Sequence, residues 1–337
     1  MKVAVIGAGS WGTAIAQLLA SNGHDVALWA RRESVASGIN SAHKNPDYLK
    51  DETLSASIVA TTDYAQAIDG AEGVVIVTPS RQMRSVAQDL ESLVGPDLPI
   101  VICSKGVEEG TGMVPVEVFE DVLGNRDRLA ALSGPNHAEE VVRGIPAGTV
   151  IASSNEACAR FFQEMFATNT FRVYTSDDVL GVELCAASKN VIAIATGLSY
   201  GIGYGDNTAA MLITRGMAEM GRLVTEAGGT SITCMGLAGA GDLIATCLSK
   251  HSRNRRFGEM LASGLTLDDF SSETHMVAEG AYACKTLQTL SQRYNVELPI
   301  TDMVRGVVWE GLSVEEAGRK LFARSLKPEF YGLESAQ

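Results

Sequence analysis

Histidine is scarce in this 337-residue chain, and its cysteines are not paired. The five histidines form no H-E-x-x-H or other metal-ligand spacing, so no metal site is expected. Six cysteines, at positions 103, 158, 185, 234, 247 and 284, include no C-x-x-C pair. That excludes a disulfide scaffold and reads as buried reduced thiols of a cytoplasmic protein. Basic residues are outnumbered, 27 against 40 acidic ones, for a net charge of −13. A chain so charged repels nucleic acid and anionic lipid, so neither is expected as a partner. No apolar run of about 18 residues is free of charge, and no membrane insertion is expected. No charged segment leads into a hydrophobic stretch at the N-terminus, so no signal peptide is expected.

What is present suits a globular protein with a sizeable core: 46% hydrophobic and 20% charged residues. The length suggests two domains, at about 150 residues each. Lys2-Val3-Ala4-Val5-Ile6 reads as a buried parallel strand. A glycine turn, a helix over 13–21 and a strand over 26–30 complete a βαβ unit. Apolar runs at 73–78, 99–103 and 129–132 continue the alternation, with edge strands at 148–153 and 171–174. The expected fold class is α/β: an N-terminal Rossmann-type doubly wound parallel sheet over 1–177. Residues 178–330 read as an all-α C-terminal domain, with helices over 177–198, 207–227, 255–263, 279–294 and 299–310. Residues 331–337 read as a frayed tail.

Gly7-Ala8-Gly9-Ser10-Trp11-Gly12 follows the first strand and opens a helix. That context gives G-x-G-x-x-G its meaning as a dinucleotide site. Gly7 makes the tight turn, Gly9 admits the pyrophosphate to the backbone, and Gly12 lets helix and strand pack closely. The helix N-terminal amides then bind the pyrophosphate. The alternative is a turn that merely needs three glycines. Arg31 and Arg32 stand where an acid would select NAD, so NADP(H) is favoured and NAD(H) remains open. The alternative there is a solvated pair, with Glu33 against Arg32.

Residues 250–256 read Lys-His-Ser-Arg-Asn-Arg-Arg, four of seven basic in an acidic chain. Arginine forks match phosphate oxygens, and Ser252 and Asn254 add neutral donors. The segment lacks the size and interleaved aromatics of a nucleic-acid face. A small phosphorylated substrate fits it; a solvated helix start is the alternative. Lys189 interrupts a long run of small and apolar residues and shares a helix face with Val182, Cys185, Ala186, Ala193 and Thr196. A lysine buried there needs a partner or a ligand and is suited to proton transfer; the alternative is a lysine that snorkels to solvent. Asp242 follows Gly239-Ala240-Gly241 as an N-cap, as a partner for Lys189, or as both. Lys105 lies just past an apolar strand, where open α/β sheets bind ligands, or it is a surface lysine.

Taken together, GAGSWGTAIA (7–16), VTPS (77–80), CSKG (103–106), SGPNHAEE (133–140), KNVIAIATGLSYGIGYGDNT (189–208), GLAGAGDLIATCLSKHSRNRRFG (236–258) and MVAEG (276–280) resemble bacterial NAD(P)-dependent glycerol-3-phosphate dehydrogenase, in order and over most of the chain. Trp11 stands where relatives also carry Tyr or Phe, and Asn136-His137 where they often carry a hydroxyl or an aromatic residue. The resemblance implies interconversion of sn-glycerol 3-phosphate and dihydroxyacetone phosphate, in the direction that supplies phospholipid backbones. By position, it implies Lys189 as proton donor and acceptor, with Lys105 and Asp242 as further catalytic groups. It implies substrate contacts at Lys105, Gly134, Asn136, Lys189, Asp242, Thr246, Ser252, Arg253 and Asn254. It implies cofactor contacts at Ser10, Trp11, Arg31, Lys105, Ala138, Arg253, Val277 and Glu279, beside Gly7, Gly9, Gly12 and Arg32. A homodimer formed through the helical domain is expected. Two rivals stand beside this reading: a lysine-base reductase for another phosphorylated substrate, and a dinucleotide sensor without catalysis.

Overall fold

The computed structural model describes residues 1–274 and 278–333. It divides into two compact units, Met1–Lys105 with Met113–Val179, and Gly106–Gly112 with Leu180–Gln337. The sequence carries no visible signal for the 106–112 excursion. Within the second unit, Arg293 donates to the carbonyl of Thr111 at 2.5 Å and so holds that loop.

The first unit is one eight-stranded sheet with strands β1 (Lys2–Ile6), β2 (Asp25–Trp29), β3 (Ile58–Thr61), β4 (Gly73–Ile76), β5 (Ile100–Ile102), β6 (Leu129–Ser133), β7 (Ala147–Ala152) and β8 (Phe171–Ser176). Their order is β3-β2-β1-β4-β5-β6-β7-β8. The order reverses beside β1, which has β2 on one side and β4 on the other, and open α/β sheets bind ligands at such a switch point. Strands β1 to β6 pair in parallel, whereas β6 and β7 are antiparallel. The sheet is therefore parallel-dominated rather than wholly parallel. The connection from β6 to β7 contains one short helix, Ala138–Val141. A parallel return normally needs a longer helical crossover; Glu156–Phe166 provides one, and β7 and β8 are parallel.

Strands β1, β4 and β5 are buried along almost their whole length, as expected of strands covered on both faces. Val5, Val75 and Val101 pack in one core with Ile15 and Leu19 of the helix Ser10–Ser21, and with Phe162 and Phe166. Strand β3 was not visible in the sequence pattern. It is four residues long at the sheet edge, and Val59 is 62% exposed.

The second unit is helical among its described residues. Val179–Gly201 is its central helix, followed by Asp206–Glu226, Asp242–Leu248, Arg253–Ala262, Leu267–Thr274, Glu279–Tyr294, Pro299–Trp309 and Val314–Phe322. Val179–Gly201 is long and apolar enough to cross a membrane, yet 94% of its most apolar window is buried within the protein. It carries Glu183 and Lys189, and it reads as a core helix. Of the expected frayed tail, residues 334–337 lie outside the described residues. Residues 331–333 form a turn, and a Cβ on Gly221 would lie 2.7 Å from the Leu333 side chain.

Candidate active site

The glycine turn lies between β1 and the helix Ser10–Ser21. Gly7 has φ +121°, and a Cβ there would lie 2.5 Å from the carbonyl oxygen of Val77. A Cβ on Gly12 would lie 1.8 Å from the carbonyl oxygen of Gly7. Both positions demand glycine for close approach. Gly9 differs, because a Cβ there would meet nothing within 4 Å. This open space beside a helix N-terminus fits a pyrophosphate, which needs room and free amides rather than packing. Ser10 and Trp11 are the first two residues of that helix and are half-buried.

Past β2, the two arginines separate in role. Arg32 pairs with Asp47 at 2.5 Å, and Glu33 accepts from the Thr62 hydroxyl at 3.4 Å rather than pairing with Arg32. Arg31 is exposed, and among the described residues its guanidinium has no partner.

The carboxyl ends of β4, β5 and β6 bring further polar groups together in the first unit. Ser104 donates to the Thr78 carbonyl at 2.5 Å. Lys105 Nζ donates to the Gly134 carbonyl at 3.3 Å. A Cβ on Gly134 would lie 2.9 Å from the carbonyl oxygen of Gly148, so this loop lies tightly on β7. Asn136 donates to the Gly148 carbonyl at 3.0 Å, while its own Oδ1 is buried without a partner. An unmatched acceptor is costly in a folded protein, and it marks a place where a ligand donor fits. Ala138 is buried at the start of the short helix that follows.

In the second unit, Lys189 is 7% exposed, so it does not snorkel. Its Nζ donates to Asp242 Oδ1 at 2.5 Å and to Thr246 Oγ1 at 2.9 Å. Thr246 donates in turn to Asp242 Oδ1 at 3.2 Å. Asp242 is the first residue of its helix and not its N-cap; the N-cap position is Gly241, at the end of the π turn Leu237–Gly241. Local π geometry often marks functional sites, because it re-aims the residue that follows. Burial pushes the nearby Cys247 thiol up to about 12, against the lowering pull of Lys189, so this sulfur stays protonated and neutral.

The helix Arg253–Ala262 crosses the Lys189 helix at backbone contact. A Cβ on Gly197 would lie 2.0 Å from the Arg255 carbonyl oxygen, and one on Gly258 would lie 2.2 Å from that of Ile194. Asn254 donates to Asn190 Oδ1 at 2.9 Å and accepts from the Gly280 amide at 3.0 Å. This fixes the start of the basic helix one residue from Lys189. Ser252 is its N-cap, accepting from the Arg255 amide at 3.2 Å. Arg255 is occupied by Glu259 at 2.8 Å, by the Leu248 carbonyl at 2.6 Å and by the Tyr200 ring. Arg253 is exposed and, among the described residues, has no partner. An uncommitted arginine in the first turn of a ten-residue helix favours an anion twice over, by its own charge and by the helix amides.

Residues 2–159 match the family model of the NAD-dependent glycerol-3-phosphate dehydrogenase N-terminus, and residues 178–319 match that of its C-terminus. The chain belongs to this family. It is 46% identical to glycerol-3-phosphate dehydrogenase [NAD(P)+] of Corynebacterium urealyticum, over 98% of this chain and 100% of that protein. It is 44% identical to the Bacillus pumilus enzyme of the same name, over 96% and 94%. The crystal structure of glycerol-3-phosphate dehydrogenase from Coxiella burnetii is 36% identical, with a TM-score of 0.91 over 96% of this chain and 99% of that one.

The expected site residues thus fall into two groups, one in each unit. Gly7, Gly9, Ser10, Trp11, Gly12, Arg31, Arg32, Lys105, Gly134, Asn136 and Ala138 belong to the sheet unit. Lys189, Asp242, Thr246, Ser252, Arg253, Asn254 and Glu279 belong to the helical one. Glu279 opens the helix Glu279–Tyr294 and is half-buried, whereas Val277 lies outside the described residues. The sequence reading missed Asn190, whose side-chain Oδ1 positions Asn254. Its signal was available: a second polar residue directly after Lys189 in an apolar helix. Among the described residues, no group of three or more His, Cys, Asp or Glu could hold a metal.

Proposed function

We propose that this chain interconverts sn-glycerol 3-phosphate and dihydroxyacetone phosphate by hydride transfer with a nicotinamide dinucleotide, working chiefly toward reduction of the ketone to supply glycerophospholipid backbones. The observation that carries this reading is the buried Lys189–Asp242–Thr246 cluster, tied through Asn190 and Asn254 to an arginine-bearing helix start. Family membership supports the same reaction.

Gly7, Gly9, Gly12, Ser10 and Trp11 hold the dinucleotide at the glycine turn, with Ala138, Arg253, Val277 and Glu279 as further contacts assigned by resemblance. When bound, the nicotinamide ring supplies the hydride in reduction and accepts it in oxidation. Ser252, Arg253 and Asn254 bind the substrate phosphate. Binding this remote group orients the reacting carbon. Lys189 Nζ gives its proton to the oxygen that gains charge as the carbonyl is reduced, and it takes that proton back in oxidation. Asp242 and Thr246 hold the ammonium at a fixed point. Lys105 adds positive charge, and Gly134 and Asn136 are assigned to the substrate loop.

Arg31 favours NADPH over NADH, since its uncommitted guanidinium suits a 2′-phosphate. Six reduced thiols suit action in the cytoplasm. Homodimer formation through the helical unit rests on the family resemblance alone. The test is loss of absorbance at 340 nm with dihydroxyacetone phosphate, comparing NADPH with NADH. Consumption supports the reaction, and a higher kcat/KM with NADPH supports the role of Arg31. Cofactor binding without consumption would favour the sensor or a different substrate.

A further inference from the structure

The sulfur atoms of Cys185 and Cys234 lie 3.4 Å apart. Both residues are reduced and buried, at 0% and 3% exposure. Cys185 lies about one turn before Lys189 on the helix Val179–Gly201. Cys234 lies in the short turn Ser231–Met235, which leads through the π turn Leu237–Gly241 to Asp242. That π turn is packed onto Cys234. A Cβ on Gly239 would lie 2.2 Å from the Cys234 carbonyl oxygen and 2.5 Å from its Cα. Each sulfur is therefore tied to one partner of the ion pair. Cys185 shares a rigid helix with Lys189, and the Cys234 backbone bears on the turn that carries Asp242.

We propose that Cys185 and Cys234 form a reversible disulfide under a peroxide oxidant, and that closing it displaces Asp242 from Lys189 and suppresses turnover. Cys234 is the sulfur oxidised first. Its neighbours Ile232 and Met235 are two-thirds exposed, so a small local opening of this turn admits peroxide. The Cys234 sulfur attacks one peroxide oxygen and the O–O bond breaks. The departing hydroxide leaves as water with the thiol proton, and a sulfenic acid remains. The Cys185 sulfur then attacks the sulfenic sulfur. The S–S bond forms, the S–O bond breaks, and a second water leaves with the second thiol proton. Two thiols lose two electrons in all, and one peroxide is reduced to two waters.

A disulfide bond is about 2.05 Å long, so the sulfurs must approach by more than about 1 Å. A close-packed interior passes such a shift to its neighbours. Misplacing a reacting group by about 1 Å costs on the order of a hundredfold in rate. The loss of turnover rests on the proposed function; the disulfide itself does not.

The experiment oxidises the full-length protein with hydrogen peroxide, then reads peptide masses and dihydroxyacetone phosphate reduction from the same sample. The expected result is a 185–234 cross-linked peptide, a turnover about a hundredfold lower, and recovery of both by dithiothreitol. Cys234→Ala keeps its basal turnover and resists peroxide, and Cys185→Ala does the same if the alanine at 234 impairs folding. Absence of the cross-link overturns the proposal, as does a cross-linked protein with full turnover. Equal inactivation of both alanine variants also overturns it, since another thiol would then be responsible. A cross-link in protein that never reduces dihydroxyacetone phosphate would support the disulfide and count against the proposed function.

Discussion

Replacing Asp242 by asparagine leaves the Lys189 ammonium buried without the carboxylate now 2.5 Å from it. The two side chains are 8% and 4% exposed, so water cannot take over that role. Removing one partner of such a pair costs about 3–5 kcal/mol. Lys189→Met leaves the opposite charge stranded and costs a similar amount. Replacing both partners by apolar residues removes the stranded charge, and such exchanges are often neutral or stabilising. A double-mutant cycle of Lys189→Met with Asp242→Leu should therefore be strongly non-additive, with a coupling of at least about 3 kcal/mol. In a unit of this size, each single variant should melt roughly 6–20 °C below the parent, and the double variant well above the two singles. Calorimetry reads these melting temperatures. Turnover behaves differently from stability. Every variant without Lys189 should lose about 10²–10⁴-fold in kcat, whatever its melting temperature, because the proton donor is gone. Additive melting shifts would refute the buried-pair argument. A stable double variant with near-normal kcat would remove Lys189 from proton transfer.

Arg253→Ala should raise KM for dihydroxyacetone phosphate about 10–150-fold, the equivalent of about 1.5–3 kcal/mol for charged hydrogen bonds, with kcat far less affected; an unchanged KM in steady-state kinetics would contradict the phosphate assignment. Gly9→Ala points its methyl into open space, so its melting temperature should stay near the parent's while calorimetric NADPH affinity falls at least about tenfold. Gly12→Ala drives its methyl into the Gly7 carbonyl and should cost about 3 kcal/mol or more of stability. Glu219 is buried at 3% exposure and caps the helix Pro299–Trp309 through the amides of Ile300 and Thr301. Burial pushes its carboxyl up from 4.5 to about 6, despite the lowering effect of these donors and of the Thr301 hydroxyl. The folded state then holds a proton that the unfolded state has lost between these values. This contribution is fully present below about pH 4.5 and is lost as pH rises to about 6, a fall of about 2 kcal/mol. Glu219→Gln should remove that slope from urea titrations run across this range; a slope that survives would place its origin elsewhere.

The parts of this protein that sequence made legible are those where one local constraint acts alone. The glycine turn is largely such a case: Gly12 is dictated by the Gly7 carbonyl five residues before it, and Gly7 by its own positive φ, although Val77 beyond β4 crowds it as well. The long buried strands are another, since burial on both faces leaves an unbroken apolar run. Strand β3 escaped because four residues at an edge, with Val59 open to solvent, give almost no pattern. The reversed direction of β7 escaped for a different reason. A strand's residues do not encode its direction; the connection does, and Ala138–Val141 looks in sequence like the start of any crossover helix. In the site, Lys189 could be singled out as a polar interruption, but its fate turned on a residue 53 positions away. Whether it snorkels or stays buried depends on Asp242 reaching it, and that depends on the π turn, which no periodicity predicts. The same limit hid Asn190, whose value lies entirely in the Asn254 amide that meets it across a glycine-to-backbone helix crossing. Local chemistry thus announced which side chains were unusual, and only tertiary contact decided which of the two readings each one took.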